Sequence, residues 1–206
     1  MREDSFETPP VPPGKSPFHI RGTGYIGHMA WIDEHFPGGR NGFLDALSPT
    51  MREFFSQTFL AISDIDFLPL AAAGYVCARV LNMSFDAFVE MRARHQATMD
   101  VGGVYRVLLK LTSAKMVAAR LPKMMSKYFN FGPVSIVADG PLFVDFVADG
   151  VPQMLAPWFT ACYRGYVEVA LTTAGARMPV LETRSEALPT RGSFAMCRFT
   201  GRVTWS

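Results

Sequence analysis

Residues 130–206 set a narrow limit on the fold. Val134, Ile136 and Ala138 alternate up to Asp139-Gly140, and Leu142, Val144 and Phe146 alternate on the far side. Alternation puts one set of side chains on one face of a strand, and Asp-Gly between two such runs is a turn dipeptide suited to positive φ. The spacing predicts a hairpin. Beyond it, Leu155, Phe159, Cys162, Tyr166, Val169 and Thr173 recur at intervals of four and three, which gathers them on one side of a helix. That helix is expected to open near Pro152, with Pro157 in its first turns, and to stop at Gly175. Strands are expected around Pro179–Arg184 and Ser193–Trp205. A hairpin, an amphipathic helix and a strand pair satisfy their apolar faces by packing the helix on the sheet.

The chain before Asn130 reads as helical. Phe18-His19-Ile20 is a short strand ending at Gly22, followed by a helix over Ile26–Phe36 that Pro37-Gly38-Gly39 breaks. Asn41 opens the next helix, and Ser48-Pro49 opens another with a capping residue and proline at its first position. Further helices are expected over Pro69–Leu81 and from Ser84, with Phe85, Phe88, Arg92 and His95 spaced along the latter. After a break at Gly102-Gly103 come Val104–Leu111 and Ser113–Phe129, the second interrupted near Pro122. Residues 1–17 hold Pro9, Pro10, Pro12, Pro13 and Pro17 and read as an extended, disordered leader, or as a proline-rich ligand for an aromatic groove. Residues 18–206 are expected to form a single α+β domain. Its N-terminal helical layer, to about residue 130, packs on a C-terminal antiparallel sheet in hairpin–helix–strands order.

Composition removes several function classes. Of 206 residues, 49% are hydrophobic and 18% charged, so a large core needs no disulfide staples. Twenty basic residues against 18 acidic ones leave a net charge of +2, with no electrostatic reason to expect nucleic acid. Cys77, Cys162 and Cys197 are odd in number and far apart, which fits free buried thiols in a reducing compartment rather than a metal knuckle. The run from Phe67 to Ala78 is shorter than the ~20 residues a membrane span needs, and no signal peptide is visible. The cytoplasm is the expected location.

No set of polar residues converges in the manner of a catalytic site. His28 and His35 lie seven residues apart on one helix face, about 10 Å along the axis, too far for one metal ion to bridge. Gly22-Thr23-Gly24 lacks the later glycine of a dinucleotide loop. Asp64 and Asp66 read as acids favouring the positive end of the following helix. The most ligand-like set is Met116, Met124 and Met125 with Tyr105, Phe129 and Phe131, because thioethers and rings can line an adaptable apolar cavity. Cys162, in the stripe of the C-terminal helix, joins them as a packing thiol. No catalytic residue, metal ligand or cofactor is expected.

Three pieces of sequence carry a resemblance. They are Arg21-Gly22-Thr23-Gly24 leading to Phe43-Leu44-Asp45-Ala46-Leu47-Ser48, Leu121-Pro122-Lys123-Met124-Met125 before Asn130-Phe131-Gly132-Pro133-Val134, and the closing hairpin, helix and strands. Together these resemble a myxobacterial paralogous family of unknown function, over nearly everything after the leader. The late order of elements is also similar to the vinyl-reductase-like ligand-binding domain and, more distantly, to the haem-nitric-oxide-binding (H-NOX) domain. These resemblances imply helices against a curved antiparallel sheet with an apolar ligand pocket between. The haem relatives are expected to hold iron by a histidine in the helix before the first hairpin, and haem carboxylates by Tyr-x-Ser-x-Arg on a strand. Leu121–Phe129 contains no histidine, and Leu142–Asp149 contains no Tyr, Ser or Arg. The zinc-holding vinyl-reductase-like sensors use clustered cysteines, and these three are scattered.

The reading that follows is a non-catalytic sensory or regulatory domain binding a small hydrophobic ligand between helices and sheet. The alternative is a protein–protein scaffold without a ligand, which could form a homodimer through an exposed patch such as Phe54-Phe55 or Trp158. A haem-binding gas sensor is third.

Overall fold

The computed structural model describes residues 6–100 and 113–206; the expected break at Gly102-Gly103, the helix over 104–111 and Tyr105 lie outside them. The chain divides into two compact units, one running to Phe88 with Tyr128–Asn130 added, the other comprising Val89–Lys127 and Phe131–Ser206. Tyr128–Asn130 belong to the first unit because their backbone pairs with its first strand. The Arg21 amide donates to Tyr128 O at 2.8 Å, and the Asn130 amide to His19 O at 3.2 Å.

The first unit comprises β1 (His19–Arg21), α1 (Gly22–His35), α2 (Gly39–Ala46), α3 (Pro49–Phe55), β2 (Asp64–Asp66), α4 (Leu68–Val80) and the opening turn of α5 (Phe85–Asp100). β1 and β2 are antiparallel. Helix α1 starts four residues earlier than the sequence suggests. Gly22 lets it begin directly against the next loop, since a Cβ there would stand 2.0 Å from Leu60 O. Ser84 caps α5 as expected, accepting from the Ala87 amide at 3.2 Å. Ser48 occupies the capping position of α3 without a side-chain cap bond, and its hydroxyl lies 3.4 Å from Thr50 Oγ1. The core of this unit is aromatic: Tyr25 stacks on Phe59 at 4.5 Å, and Phe55 meets Phe43 edge-on at 5.2 Å.

Asp66 organises the rest of the first unit. Its buried carboxylate accepts from the amides of Gly14, Ser16 and Leu68 and from the Ser16 hydroxyl, while its carbonyl accepts from Tyr25 Oη. Burial, and then the Asp66 charge, raise the Tyr25 phenol well above its usual pKa. Asp66 does mark the start of α4, as its position before that helix suggested, but it also ties down the leader. The disordered leader expected over 1–17 is corrected for residues 6–17. Glu7 pairs with Arg79 at 2.9 Å, Phe6 sits edge-on to Tyr75, and Pro9 and Ser16 are buried. Nor do these prolines form one extended ligand. Lys15 N donates to Pro12 O at 3.1 Å around Gly14, whose φ of 83° is the conformation such a turn requires.

The second unit holds the remainder of α5 from Val89, then α6 (Ala114–Ser126), β3 (Val134–Asp139), β4 (Phe143–Pro152), a single 3-10 turn (Gln153–Leu155), α7 (Ala156–Thr173), β5 (Val180–Arg191) and β6 (Phe194–Thr204). The sheet runs β3-β4-β6-β5 and is antiparallel throughout. Helix α6 packs on β3, β4 and α7, and α7 on β5. The α+β class and the hairpin–helix–strands order hold. At its C-terminus α7 ends in a Schellman motif: Ala176 N donates to Leu171 O and Gly175 N to Thr172 O, with Gly175 at φ 88°.

Two local expectations need correction. Gly140 is not among the positive-φ residues; it is glycine because a Cβ would lie 2.3 Å from the Phe143 ring, folded back over the turn. Ala138 does not share a face with Val134 and Ile136. A bulge between Ile136 and Ala138 pairs Ile136 with Phe146 but Ala138 with Asp145, which flips the end of the strand.

Replacing Gly201 by Val should lower stability by about 2–3 kcal/mol, because its Cβ would stand 2.2 Å from the buried Phe146 ring. Chemical denaturation followed by circular dichroism measures this. Asp66→Asn turns a carboxylate oxygen into a donor facing donors, which should cost about 2–4 kcal/mol. It should also let trypsin cut after Lys15, whereas the parent chain resists.

Candidate functional site

The interior of the second unit is built where α7 crosses the sheet. Val144, Phe146 and Ala148 on β4 and Cys197, Phe199 and Val203 on β6 are buried. From α7, Phe159 and Tyr163 enter the same layer. Tyr163 stacks on Phe146 at 5.3 Å, Phe199 lies 6.2 Å from Phe159, and Phe131 meets Phe159 edge-on at 6.0 Å. Phe146 can lie flat against the sheet because residue 201 has no side chain.

Helix α7 is buried on a second side by α5. A Cβ on Gly165 would meet Glu90 O at 2.4 Å, so glycine here sets the close approach of the two helices. Charges close the seam: Arg94 bridges Glu90 and Glu168, Glu90 also faces Arg164 at 3.5 Å, and Tyr166 Oη donates to Asp100 at 2.9 Å. Arg92 comes from the same stretch of α5, with Nε and Nη1 buried. Burial pushes the Cys162 thiol up to about 12, and the Arg92 charge opposes that rise. Burial also raises the Tyr163 phenol, with a smaller push from Cys162.

The seven residues singled out as ligand-like fall into different places. Phe131 and Cys162 are buried in this unit. Met116 and Met124 lie on the outward face of α6, with 47% and 50% of their surface exposed. Met125 lies on α6, Phe129 belongs to the first unit, 5.3 Å from Phe67, and Tyr105 is outside the described residues. The scaffold patch proposed at Phe54-Phe55 needs correction, since Phe55 is buried among Tyr25, Phe43 and Phe59. Trp158 is half-buried and edge-on to Phe159. Among the described residues no three His, Cys, Asp or Glu side chains could hold a metal ion. His28 packs against Phe43 and Phe55, and His35 stacks on Trp31. Neither Gly165 nor Arg92 is marked out by a motif in the sequence. Arg92 could be noticed as the i+4 partner of Phe88 on an apolar helix face, whereas Gly165 carries no pattern of its own.

Cys162 gives a pH signature. Below the ordinary thiol pKa of about 8.5 it is protonated in both folded and unfolded chains. Above that value the unfolded chain ionises and the folded one resists, so stability falls as pH rises towards about 12. Cys197, also raised by burial, adds to the slope in the same direction. Denaturation midpoints at rising alkaline pH should fall less steeply in Cys162→Ala, and the native chain should leave Cys162 unlabelled by a thiol reagent until denaturant is added.

No protein-family model matches the chain, and no curated protein matches it. Solved structures do. An H-NOX protein from K. algicida, in its Fe(II) unliganded state, has a TM-score of 0.60 at 10% identity, covering 91% of this chain and 97% of its own. A mutant of that protein gives 0.61 at 8% over the same shares, and a mutant T. tengcongensis H-NOX gives 0.53 at 12%, over 91% and 98%. The residues here do not fit haem in the manner the H-NOX resemblance implies: α6 contains no histidine, and the buried β4 positions are Val144, Phe146 and Ala148. Among the described residues no single helix is long and apolar enough to cross a membrane. At these identities the likeness establishes architecture: the chain has an α+β fold similar to that of H-NOX domains.

Proposed function

We propose that this chain is a non-catalytic sensory or regulatory domain that binds a small apolar ligand where α6, α7 and the sheet of the second unit meet. The observation that carries the reading is the fold: over 91% of its length the chain follows proteins whose names identify them as H-NOX. Phe131 and Cys162 would face the ligand from inside the unit. Val117, Ala118 and Leu121 form the buried apolar face of α6. Ligand entry would shift α6 over β3 and β4 and alter the surface it presents. The same reading places the chain in the cytoplasm, within the myxobacterial paralogous family it resembles.

A scaffold without a ligand is the second reading, favoured by the two exposed methionines on α6. A haem sensor is the third. Incubating purified protein with an extract of lipids and hydrophobic metabolites, followed by native mass spectrometry, should reveal one retained small molecule. Leu121→Trp, which fills the seam beneath α6, should abolish retention while the circular dichroism spectrum is kept. A chain that emerges at its bare mass would sink the ligand reading. A Soret band on adding haem would favour the third.

A further inference from the structure

Strand β5 ends the sheet on one side, and among the described residues no strand pairs with its outward edge. Helix α6 packs at the other side, on β3 and β4. Side chains of β5 are exposed on both faces: Glu182, Arg184 and Glu186 on the outer one, Ser185 and Ala187 on the inner one. In an antiparallel strand alternate residues turn N–H and C=O away from the neighbour, so such an edge offers a row of donors and acceptors. From Val180 to Leu188 β5 follows β6 without a slip in register. Pro179 and Pro189, which have no N–H to give, flank that stretch.

The charges on this edge are of both signs. Edge strands are commonly guarded by lysines, which repel any strand that approaches. Strand β5 has no lysine and alternates Glu182, Arg184 and Glu186 along its outer face. Glu186 stands opposite Arg198 of β6 and interacts with its charge. Glu182 stands opposite Arg202, whose guanidinium turns instead to Asp145 and the Phe143 ring. Arg184 stands opposite Thr200. Among the described residues neither Glu182 nor Arg184 has an ion pair.

We infer that the edge of β5 is an interface with a second copy of this chain, the two strands antiparallel about a twofold axis at Thr183. Two identical strands can meet this way, with the faces of the sheet continuous, only in registers centred on a residue. Centring on Arg184 sets Arg184 against itself and Glu182 against Glu186, and centring on Glu182 sets Glu182 against itself. Like charges directly opposite are destabilising. Centring on Ser185 gives Arg184 to Glu186, which already has Arg198, and leaves Glu182 opposite Leu188. Centring on Thr183 sets Glu182 of each copy opposite Arg184 of the other, so the two unpaired charges satisfy each other twice. Thr183 then faces its own counterpart, a favourable cross-strand pair, at a point where Thr160 of α7 lies 3.0 Å from its hydroxyl. The sheet continues as β3-β4-β6-β5 into the same strands of the second copy in reverse order, and the open edge disappears. This interface uses residues of the second unit alone and holds with or without a ligand beneath α6.

The full chain should show a monomer–dimer equilibrium in analytical ultracentrifugation, and the dimer should weaken as salt is raised. Arg184→Glu opposes acids and Glu182→Arg opposes cations, so each alone should raise the dissociation constant roughly tenfold or more. Mixed together, these two variants should recombine as a heterodimer. The double exchange Glu182→Arg with Arg184→Glu should restore the homodimer, because opposite signs face again. In the Ser185 register the double exchange would oppose two acids, so recovery is specific to Thr183. Glu53→Arg, an exposed change on α3, should leave association unaltered. All these variants change exposed side chains, and circular dichroism checks that each is folded. Three results would overturn the assignment: a monomer at every concentration, a dimer indifferent to the single exchanges, or single variants that part and do not recombine on mixing. A monomer that takes up an extended peptide along β5 would also overturn it, by giving the edge to another protein.

Discussion

The contact on which the second unit depends is the seating of the Phe146 ring between Gly201 and Tyr163. An antiparallel sheet can bury one face only if something with a matching relief lies on it. Here that relief comes from four rings at 5–6 Å separations, Phe146, Phe159, Tyr163 and Phe199, contributed alternately by strands and helix. Such pairs add about 0.5–1.5 kcal/mol each beyond the area they bury. Gly201 is the concession that allows it. Its missing side chain lowers the sheet surface by one layer, so Phe146 fills the dip rather than holding α7 away. The pitch of α7 is then fixed on its other side by Gly165 against the backbone of α5. A single helix is thereby clamped between a ring layer and a second helix.

The first unit is built on a different principle. Its centre is a carboxylate, and its stability rests on how many donors converge on it. Ionised Asp66 would be costly to bury with one partner, yet it collects three amides and a hydroxyl, and charge-assisted bonds of that kind are stronger than neutral ones. Three of these four donors come from the leader, so the segment that composition marks as unstructured completes the hydrogen bonding of the core. Ser16 is buried for the same reason.

Much of this was legible in the sequence wherever a local rule decides the outcome. Hairpin, long helix and strand pair could be read from periodicity, and Gly175 and Ser84 from end signals that depend on a few neighbouring residues. Other features depend on partners distant in sequence. Val137 gives no hint that it is a bulge, since a bulge is defined by the register of two strands. β5 extends to Arg191, well past the expected Arg184, because Ser185, Glu186 and Pro189 look like a loop when the partner strand is unseen. The leader could not be placed because five prolines suggest disorder until an acid at position 66 is known to lie beside them. For the candidate site, the methionines were found but not the direction they face. Met116 and Met124 were grouped with core residues by type, whereas the buried arc of α6 is set by Val117, Ala118 and Leu121.

The outer face of the second unit's sheet carries its charges in pairs across strands. On the outer face of the sheet the charges alternate in sign across strands. Asp149, Arg198 and Glu186 form one row, and Asp145, Arg202 and Glu182 the next, each cation lying between acids in the register. Arg198 bonds Asp149 at 2.6 Å, and Arg202 lies over the Phe143 ring at 4.6 Å as well as beside Asp145. A partner docking there would have to break pairs the sheet already makes. The seam between α5 and α7 is similarly closed by Glu90, Arg94 and Glu168.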